Sequence, residues 1–334
     1  MKKKLTQLIV GLLLCQTVVT GCTIGDTEYV LDLESISKKD YVFSINGEEC
    51  TKEEAKLYLC NYQVIYGNEY GVNLWEHDFG PMDESLTLET YVKDITLSQL
   101  ANIMCMNLLA EEQEVSLTDG ELKKVKQAAE EYYNTLSKDE IAYMGIDKKK
   151  VQAIYEKYAL AQKLYDTLTQ GVNEEVSDDE ARVIRVQQIY VSSEEDASEV
   201  QAKLANGDDF ASVASNYNEA NTIETTMKRG AYPEAVDQVA FHLDNGEKSD
   251  MITTDQGYYF IKCLNKYEVE LTEENKINII AQRRKEQFDD VFNGFITESK
   301  FELIDEVWDE IDIDTSGAIT TGSFFEIYDK HFGK

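Results

Sequence analysis

Residues 183–264 constrain the fold of this chain more than any other stretch. Their first nine residues are rich in β-branched side chains and alternate between apolar and polar, which predicts a strand. Two segments with helical spacing follow at 195–205 and 208–215. The chain then turns at Gln256-Gly257 into a second, aromatic-rich strand. We therefore expect a small antiparallel sheet flanked by helices.

Three motifs occur in a fixed order inside this stretch. They are Leu204-x-x-Gly207-x-x-Phe210-Ala211-x-x-Ala214, Ala240-Phe241-x-Leu243-x-x-Gly246-x-x-Ser249 and Thr254-x-x-Gly257-Tyr258-x-Phe260-Ile261. Together with the opening strand, they resemble the parvulin (PpiC-type) peptidyl-prolyl isomerases. The resemblance implies a parvulin lobe over residues 177–268 and, as the family's activity, rotation about X-Pro amides, which needs no cofactor and no metal.

The resemblance also implies where the site residues fall. Parvulins usually place two histidines and a central Cys or Asp around the twisted amide, and here those catalytic positions are Gln188, Tyr259 and Ala220. The substrate-binding pocket for the proline ring would be formed by Tyr232, Val236 and Phe241.

All three polar positions depart from the family pattern. Gln188 and Tyr259 can form hydrogen bonds, but neither supplies an imidazole. Val236 leaves a shallower apolar wall than a phenylalanine would. We therefore expect weak or absent isomerase activity, with the fold kept as a peptide-binding module. In the alternative, apolar gripping of the proline suffices and the polar groups only tune it.

The N-terminus has the layout of a secretory signal, with a basic cap at 2–4 and an apolar run over 5–19. Residues 19–22 resemble a bacterial lipobox, which would make Cys22 the lipidated first residue after removal of residues 1–21. The alternative is an ordinary cleaved signal with a chance cysteine. Residues 22–40 have little apolar periodicity and are predicted to be a tether.

Residues 41–176 are predicted to be mainly helical. A strand over 41–47 ends in Asn46-Gly47, and Thr51 to Glu54 then form a capping box that opens a helix. This order resembles the start of SurA- and PrsA-type folding factors. Residues 88–112 have so broad an apolar face that they should form the buried centre of a bundle.

Two features of the helical region allow two interpretations each. Residues 147–170 are predicted to form a helix with a stripe that includes Tyr155, Tyr158 and Tyr165. That stripe is either interhelix packing, which we favour, or an aromatic wall for unfolded polypeptide. The cysteines outside residues 1–22 are predicted to be small buried hydrophobic residues. These cysteines are Cys50, Cys60, Cys105 and Cys263. In the alternative, Cys60 and Cys105 form a disulfide, which an extracytoplasmic location would permit.

Residues 269–334 are expected to pack on the helical domain. The helical pattern over 272–300 has an apolar stripe that requires a partner, and the aromatic tail should dock rather than hang free. Residues 312–319 resemble the first positions of a calcium-binding EF-hand loop, but the twelfth position is Ser323 instead of the bidentate glutamate. An acidic turn is the favoured interpretation.

Charge and motif content exclude several function classes. The net charge is −32, and removing residues 1–21, which hold Lys2–Lys4 and no acid, gives −32 − 3 = −35. Such a surface repels nucleic acid and anionic lipid. No phosphate-binding loop, dinucleotide fingerprint or hydrolase elbow occurs in the sequence.

We therefore predict an α+β protein in which a helical bundle carries an inserted parvulin lobe. The expected function is that of a lipid-anchored extracytoplasmic folding factor, whose partners are unfolded secreted polypeptides and the membrane that holds its anchor. Alternatives are a scaffold lipoprotein that binds one folded partner and, less well supported, a solute-binding lipoprotein. The sequence does not indicate the oligomeric state.

Overall fold

The structure is a computed structural model that describes residues 40–70, 75, 76, 78 and 87–333. Several predicted features lie outside these residues: the signal over 1–21, Cys22 and the tether up to residue 39. The described residues divide into two compact units. The first joins the chain up to Gln170 with Lys285–Lys334, and the second is Gly171–Arg284.

The first unit is mainly helical and includes one small sheet. In chain order its elements are β1 (Tyr41–Ile45), β2 (Glu48–Thr51), α1 (Lys52–Tyr70), α2 (Leu88–Glu112), α3 (Asp119–Thr135), α4 (Lys138–Met144), α5 (Lys148–Leu168), β7 (Phe301–Leu303), α11 (Asp305–Asp309) and α12 (Phe324–Phe332). The sheet has the order β2-β1-β7 with antiparallel pairing throughout. Asn46 and Gly47 both have positive φ in the β1–β2 turn, as a two-residue hairpin requires.

Local capping explains where these helices begin. Thr118 and Ser137 each form a complete capping box with the glutamate three residues later, and Asp147 accepts two backbone N–H bonds. The box predicted at Thr51 is only half formed, because Thr51 accepts from the Glu54 N–H while the Glu54 carboxylate pairs with Lys157. The helix predicted to run through residue 170 ends at Leu168.

The core of the first unit is built from both ends of the chain. Phe324 from α12 is fully buried and stacks on Tyr155 of α5, with ring centroids 4.1 Å apart. Its ring also contacts those of Tyr58, Tyr132 and Tyr158. The interhelix-packing interpretation of the tyrosine stripe is therefore confirmed.

Polar side chains hold the C-terminal segment against this core. Asn61 of α1 accepts from the Phe324 N–H, and the Gln63 amide exchanges two hydrogen bonds with the backbone of Asp314. The Asp314 carboxylate accepts from the Ser316 and Ala318 N–H groups. The EF-hand-like segment is thus a carboxylate-capped turn. Within the described part of the chain, no cluster of three or more metal-binding side chains occurs.

The second unit contains a four-stranded antiparallel sheet in the order β4-β3-β6-β5. Its elements are α6 (Asp178–Ala181), β3 (Val183–Val191), α7 (Glu194–Ala205), α8 (Phe210–Tyr217), β4 (Glu224–Lys228), α9 (Glu234–Ala240), β5 (Ile252–Thr254) and β6 (Gly257–Asn265). A long helix, α10, spans Val269–Glu298, and its residues from Lys285 onward belong to the first unit. The α+β class predicted from the sequence is confirmed.

Each face of this sheet carries its own apolar cluster. One face packs against α7 and α8 through residues such as Ile189, Phe210 and Phe260. The other face packs against α9 and includes Val236, Tyr259 and Ile261. Alternation along β3 and β6 therefore separates the two clusters.

The four cysteines in the described part of the chain are buried free thiols, as the small-hydrophobe interpretation expects. They are Cys50, Cys60, Cys105 and Cys263.

No helix in the described ranges combines the length and the apolar composition that a bilayer crossing needs.

Glu140 gives a pH-dependent prediction for the first unit. Its buried carboxylate accepts from the backbone N–H groups of Ser137, Thr320 and Thr321, at 2.7, 2.9 and 2.8 Å. Burial alone would raise the pKa of Glu140, but these hydrogen bonds outweigh it and lower the pKa below its ordinary 4.5. Because the folded-state pKa is lowered, the stabilisation is complete above about pH 4.5 and is lost as the pH falls through the folded-state pKa.

We expect Glu140→Gln to lower the free energy of unfolding by about 1.5–3 kcal/mol at pH 7, the range for hydrogen bonds to a charged group. The difference from wild type should shrink below about pH 4.5. Urea unfolding followed by tryptophan fluorescence at pH 7 and at acid pH measures both quantities. The matched control is Asp139→Asn, because Asp139 is exposed in the same helix. Equal losses for the two variants at pH 7 would contradict this role.

Candidate functional site

The candidate site is the α9-facing side of the second unit's sheet. In the β3–β6 ladder, Gln188 pairs with Ile261 and Tyr190 pairs with Tyr259. Directly paired residues share a face, as do residues two apart in one strand. Gln188 and Tyr259 therefore lie on the same face, with Tyr190 beside them.

Tyrosine rings dominate this face. The rings of Tyr190 and Tyr259 lie 4.9 Å apart, and the ring of Tyr232 meets that of Tyr259 edge-on at 6.4 Å. The Tyr232 hydroxyl donates to Gln188 Oε1 at 3.2 Å, and the Tyr190 hydroxyl donates to the Gln256 carbonyl at 2.6 Å. We define Gln188, Tyr190, Tyr232 and Tyr259 as the tyrosine face.

Gln188 is fixed by several contacts at once. Its side chain is 5% exposed, and its Nε2 donates to the Thr222 carbonyl at 3.0 Å while Oε1 accepts from Tyr232. Its backbone N–H donates to Ile223. Both ends of the amide are thus satisfied inside the protein, so Gln188 positions Tyr232 rather than presenting a free group.

Ala220 lies in the segment that runs alongside β3 before β4 begins. This segment is ordered by Asn218, whose Oδ1 accepts from the Tyr190 N–H and whose Nδ2 donates to the Ala220 and Thr222 carbonyls. The structure therefore brings Ala220 next to the strand that carries Gln188 and Tyr190. Its methyl side chain can neither donate nor accept a proton or a hydrogen bond.

The three residues expected to line the proline pocket differ in exposure. Tyr232 is half-buried and belongs to the tyrosine face. Val236 is fully buried in the α9 cluster, and Phe241 is 3% exposed. The guanidinium groups of Arg182 and Arg229 lie 5.4 and 4.5 Å from the centre of the Phe241 ring. Among these three residues, Tyr232 alone offers substantial surface, so the substrate-binding role of Val236 and Phe241 stays a prediction.

The phenol of Tyr259 has a perturbed acidity. Burial raises the pKa of Tyr259, and the neighbouring Tyr190 and Tyr232 raise it further. The group is therefore a neutral hydrogen-bond donor throughout the physiological pH range. The four residues of the tyrosine face carry one amide and three phenols, and none of them is a histidine or a carboxylate.

Comparison with known proteins matches part of this chain to a domain family. Residues 146–274 match the model of the PPIC-type peptidyl-prolyl isomerase domain. The chain is 25% identical over 236 residues to the foldase protein PrsA of Caldanaerobacter subterraneus subsp. tengcongensis, covering 67% of this chain and 72% of that protein. The chain thus contains a PPIC-type domain and is similar to PrsA foldases.

Two further relatives are PrsA proteins of Bacillus cereus. Foldase protein PrsA 3 is 28% identical over 203 residues, which cover 56% of this chain and 68% of the relative. The crystal structure of a peptidylprolyl isomerase (PrsA) from the same species aligns with 20% identity and a TM-score of 0.36, covering 76% of this chain and 99% of that one.

Two residues of this site are not identified by the sequence patterns. Tyr190 was not singled out, although its place two residues after Gln188 puts it on the same face of a strand. Asn218 was also missed, although an Asn at a helix end is a residue type that often bonds to nearby backbone. The Gln188–Tyr232 bond joins residues 44 positions apart, and no local pattern encodes it.

Proposed function

We propose that this chain is an extracytoplasmic folding factor that binds unfolded secreted polypeptides, and that its parvulin domain has weak or no isomerase activity. The support for the first part is the PPIC-type domain within a chain similar to PrsA foldases. The strongly acidic surface also suits a protein that must stay soluble beside sticky clients.

The single observation that carries the second part is the closed Gln188–Tyr232 pair. Isomerisation requires groups that interact more strongly with the twisted amide than with either planar form. At the positions where parvulins usually carry polar catalytic residues, this chain has an amide already bonded to its neighbours, a methyl group and a phenol. Val236 is also buried, which reduces the apolar grip on a proline ring. Binding of extended chain survives these changes better than catalysis does.

We further propose that Cys22 carries a lipid anchor and that the protein works at a Gram-positive cell surface. This part of the proposal rests on the lipobox-like residues 19–22, which lie outside the described residues. Two or more acyl chains on one residue would hold the protein stably at a membrane. An unmodified Cys22 in the mass spectrum of the exported protein would contradict it.

Two assays on the full chain test the main proposal. We expect stoichiometric amounts to suppress aggregation of an unfolded client. We also expect X-Pro peptide isomerisation at least about tenfold slower than by a histidine-containing parvulin, since one preorganised polar group that stabilises a transition state contributes about 10²–10³-fold. An equally acidic protein without a parvulin domain controls for solubilisation by charge alone.

The two outcomes are separable. A rate equal to that of the histidine-containing enzyme would show that apolar gripping suffices and would overturn the claim of weakened catalysis. No suppression of aggregation would instead favour the scaffold hypothesis, in which the chain binds a single folded partner. That hypothesis is otherwise not favoured by the similarity to foldases.

A further inference from the structure

One hydroxyl on the tyrosine face has no hydrogen-bond partner among the residues that the structure describes. The Tyr190 hydroxyl donates a hydrogen bond to the Gln256 carbonyl, and the Tyr232 hydroxyl donates one to Gln188 Oε1. The Tyr259 residue is only 9% exposed, and its hydroxyl bonds to no residue in the described part of the chain. The oxygen itself is not closed off from solvent. The hydroxyl is therefore a donor that a ligand can reach.

The chemistry of an X-Pro peptide fits this donor. Proline has no backbone N–H, so the prolyl amide and its surroundings offer mainly carbonyl oxygens as hydrogen-bonding groups. A neutral phenol that donates is complementary to such an acceptor. The apolar rings of Tyr190 and Tyr232 flank the hydroxyl and provide surface for the rest of the peptide.

We propose that the Tyr259 hydroxyl donates a hydrogen bond to a backbone carbonyl of the bound polypeptide and is the main polar contact of this face with its substrate. This inference rests on the proposed function and specifies the group that makes the contact. It also separates the residues by role, since Gln188 positions Tyr232 while Tyr259 touches the substrate.

The surroundings of Tyr259 predict binding that does not depend on pH near neutrality. The titratable groups that face it are Tyr190 from β3 and Tyr232 from the segment before α9. Its pairing neighbour on β5 is Ile252 and α9 contributes Val236 to the same cluster, and neither carries a charge. α9 carries two acids: Glu234 accepts from the Gln238 side chain, and Asp237 accepts from the Gly230 N–H.

The test measures binding of a labelled, unstructured peptide with one central Ala-Pro bond to the full chain. Tyr259→Phe keeps the ring contacts and removes only the oxygen. We expect its Kd to rise about three- to tenfold, which is the fold-change for losing one hydrogen bond. Tyr258→Phe is the matched control, because Tyr258 is the adjacent residue of β6 on the opposite face and packs with the α7–α8 cluster. Its Kd should equal that of wild type.

A pH series adds a readout that a purely structural role would not move. Wild-type binding should be flat from pH 5.5 to 8.5, because the donor is a phenol with an ordinary pKa of about 10. Tyr259→His should introduce a pH dependence near the imidazole pKa of about 6.5.

The failure modes are distinct. If wild type binds the peptide and Tyr259→Phe binds equally well, the role of the hydroxyl is overturned while the proposed function stands. If Tyr258→Phe and Tyr259→Phe weaken binding equally, the effect is not specific to this face and the inference also fails. If wild type does not bind unfolded peptide at all, the proposed function fails and takes this inference with it.

Discussion

Replacing Phe324 by alanine is expected to lower the free energy of unfolding of the first unit by about 3–5 kcal/mol, the range for truncating a buried aromatic residue. Phe324 is fully buried, and its ring stacks on that of Tyr155. Its backbone is also tied at both ends, since its N–H donates to Asn61 and its carbonyl accepts from the Tyr155 hydroxyl. The surrounding rings belong to helices that cannot collapse into the cavity without moving together.

Tryptophan fluorescence gives a selective measurement of this loss. The chain has two tryptophans, Trp75 and Trp308, and both are buried in the first unit. Urea unfolding followed by this signal therefore reports the first unit alone. Phe325→Ala is the neighbouring control, because Phe325 is only half-buried and should cost clearly less. Equal losses at the two positions would contradict the central place of Phe324 in the core.

Replacing Gly257 by alanine is expected to destabilise the second unit by several kcal/mol. Gly257 has φ +141°, a backbone conformation that residues with a side chain rarely adopt. An added Cβ would lie 2.7 Å from the Val191 carbonyl oxygen and 2.9 Å from the ring of Tyr190. Backbone strain of about 1–3 kcal/mol and overpacking of about 1–3 kcal/mol would combine.

Hydrogen exchange of the β3 amides, measured by mass spectrometry, reports this loss locally. Every 1.4 kcal/mol should speed exchange of the best-protected amides about tenfold. The matched control is Gly246→Ala, since Gly246 also has positive φ but has no atom within 4 Å of an added Cβ. Gly246→Ala should lower the free energy of unfolding by only about 1–2 kcal/mol, the cost of backbone strain alone. Unchanged β3 exchange in Gly257→Ala would contradict the close approach of Tyr190 to the turn.

Local signals explain the parts of the fold that were predictable. The helix over 88–112 begins and ends where the sequence predicts, because a capping box at Thr87 and a long apolar pattern act within the segment itself. The hairpin at Gln256-Gly257 follows from turn chemistry in the same way.

Elements that depend on distant partners were not predictable. β7 is a three-residue strand that forms only because it pairs with β1 more than 250 positions earlier. β4 has the polar sequence Glu-Thr-Thr-Met-Lys and is a strand because it lies at the edge next to β3. Sequence patterns over a few residues contain no information on either partner.

The candidate site shows the same division. The parvulin resemblance implied that Gln188 and Tyr259 lie around one bound amide, and the β3–β6 register places both on one face. The exposure of the pocket residues was not predictable, because the burial of Val236 and the cover of Phe241 by two arginines are tertiary contacts. The catalytic and substrate-binding roles of all these positions stay predictions.

The first unit is built from two separate stretches of the chain, and this affects the order in which the two units can fold. Residues 171–284 are contiguous, so the second unit has all its residues as soon as they have emerged. The first unit lacks the third strand of its sheet and its central phenylalanine until the last few dozen residues are made. A chain truncated before residue 300 would therefore contain every residue of the second unit but an incomplete first unit, whose aromatic core residues would be uncovered and prone to aggregation.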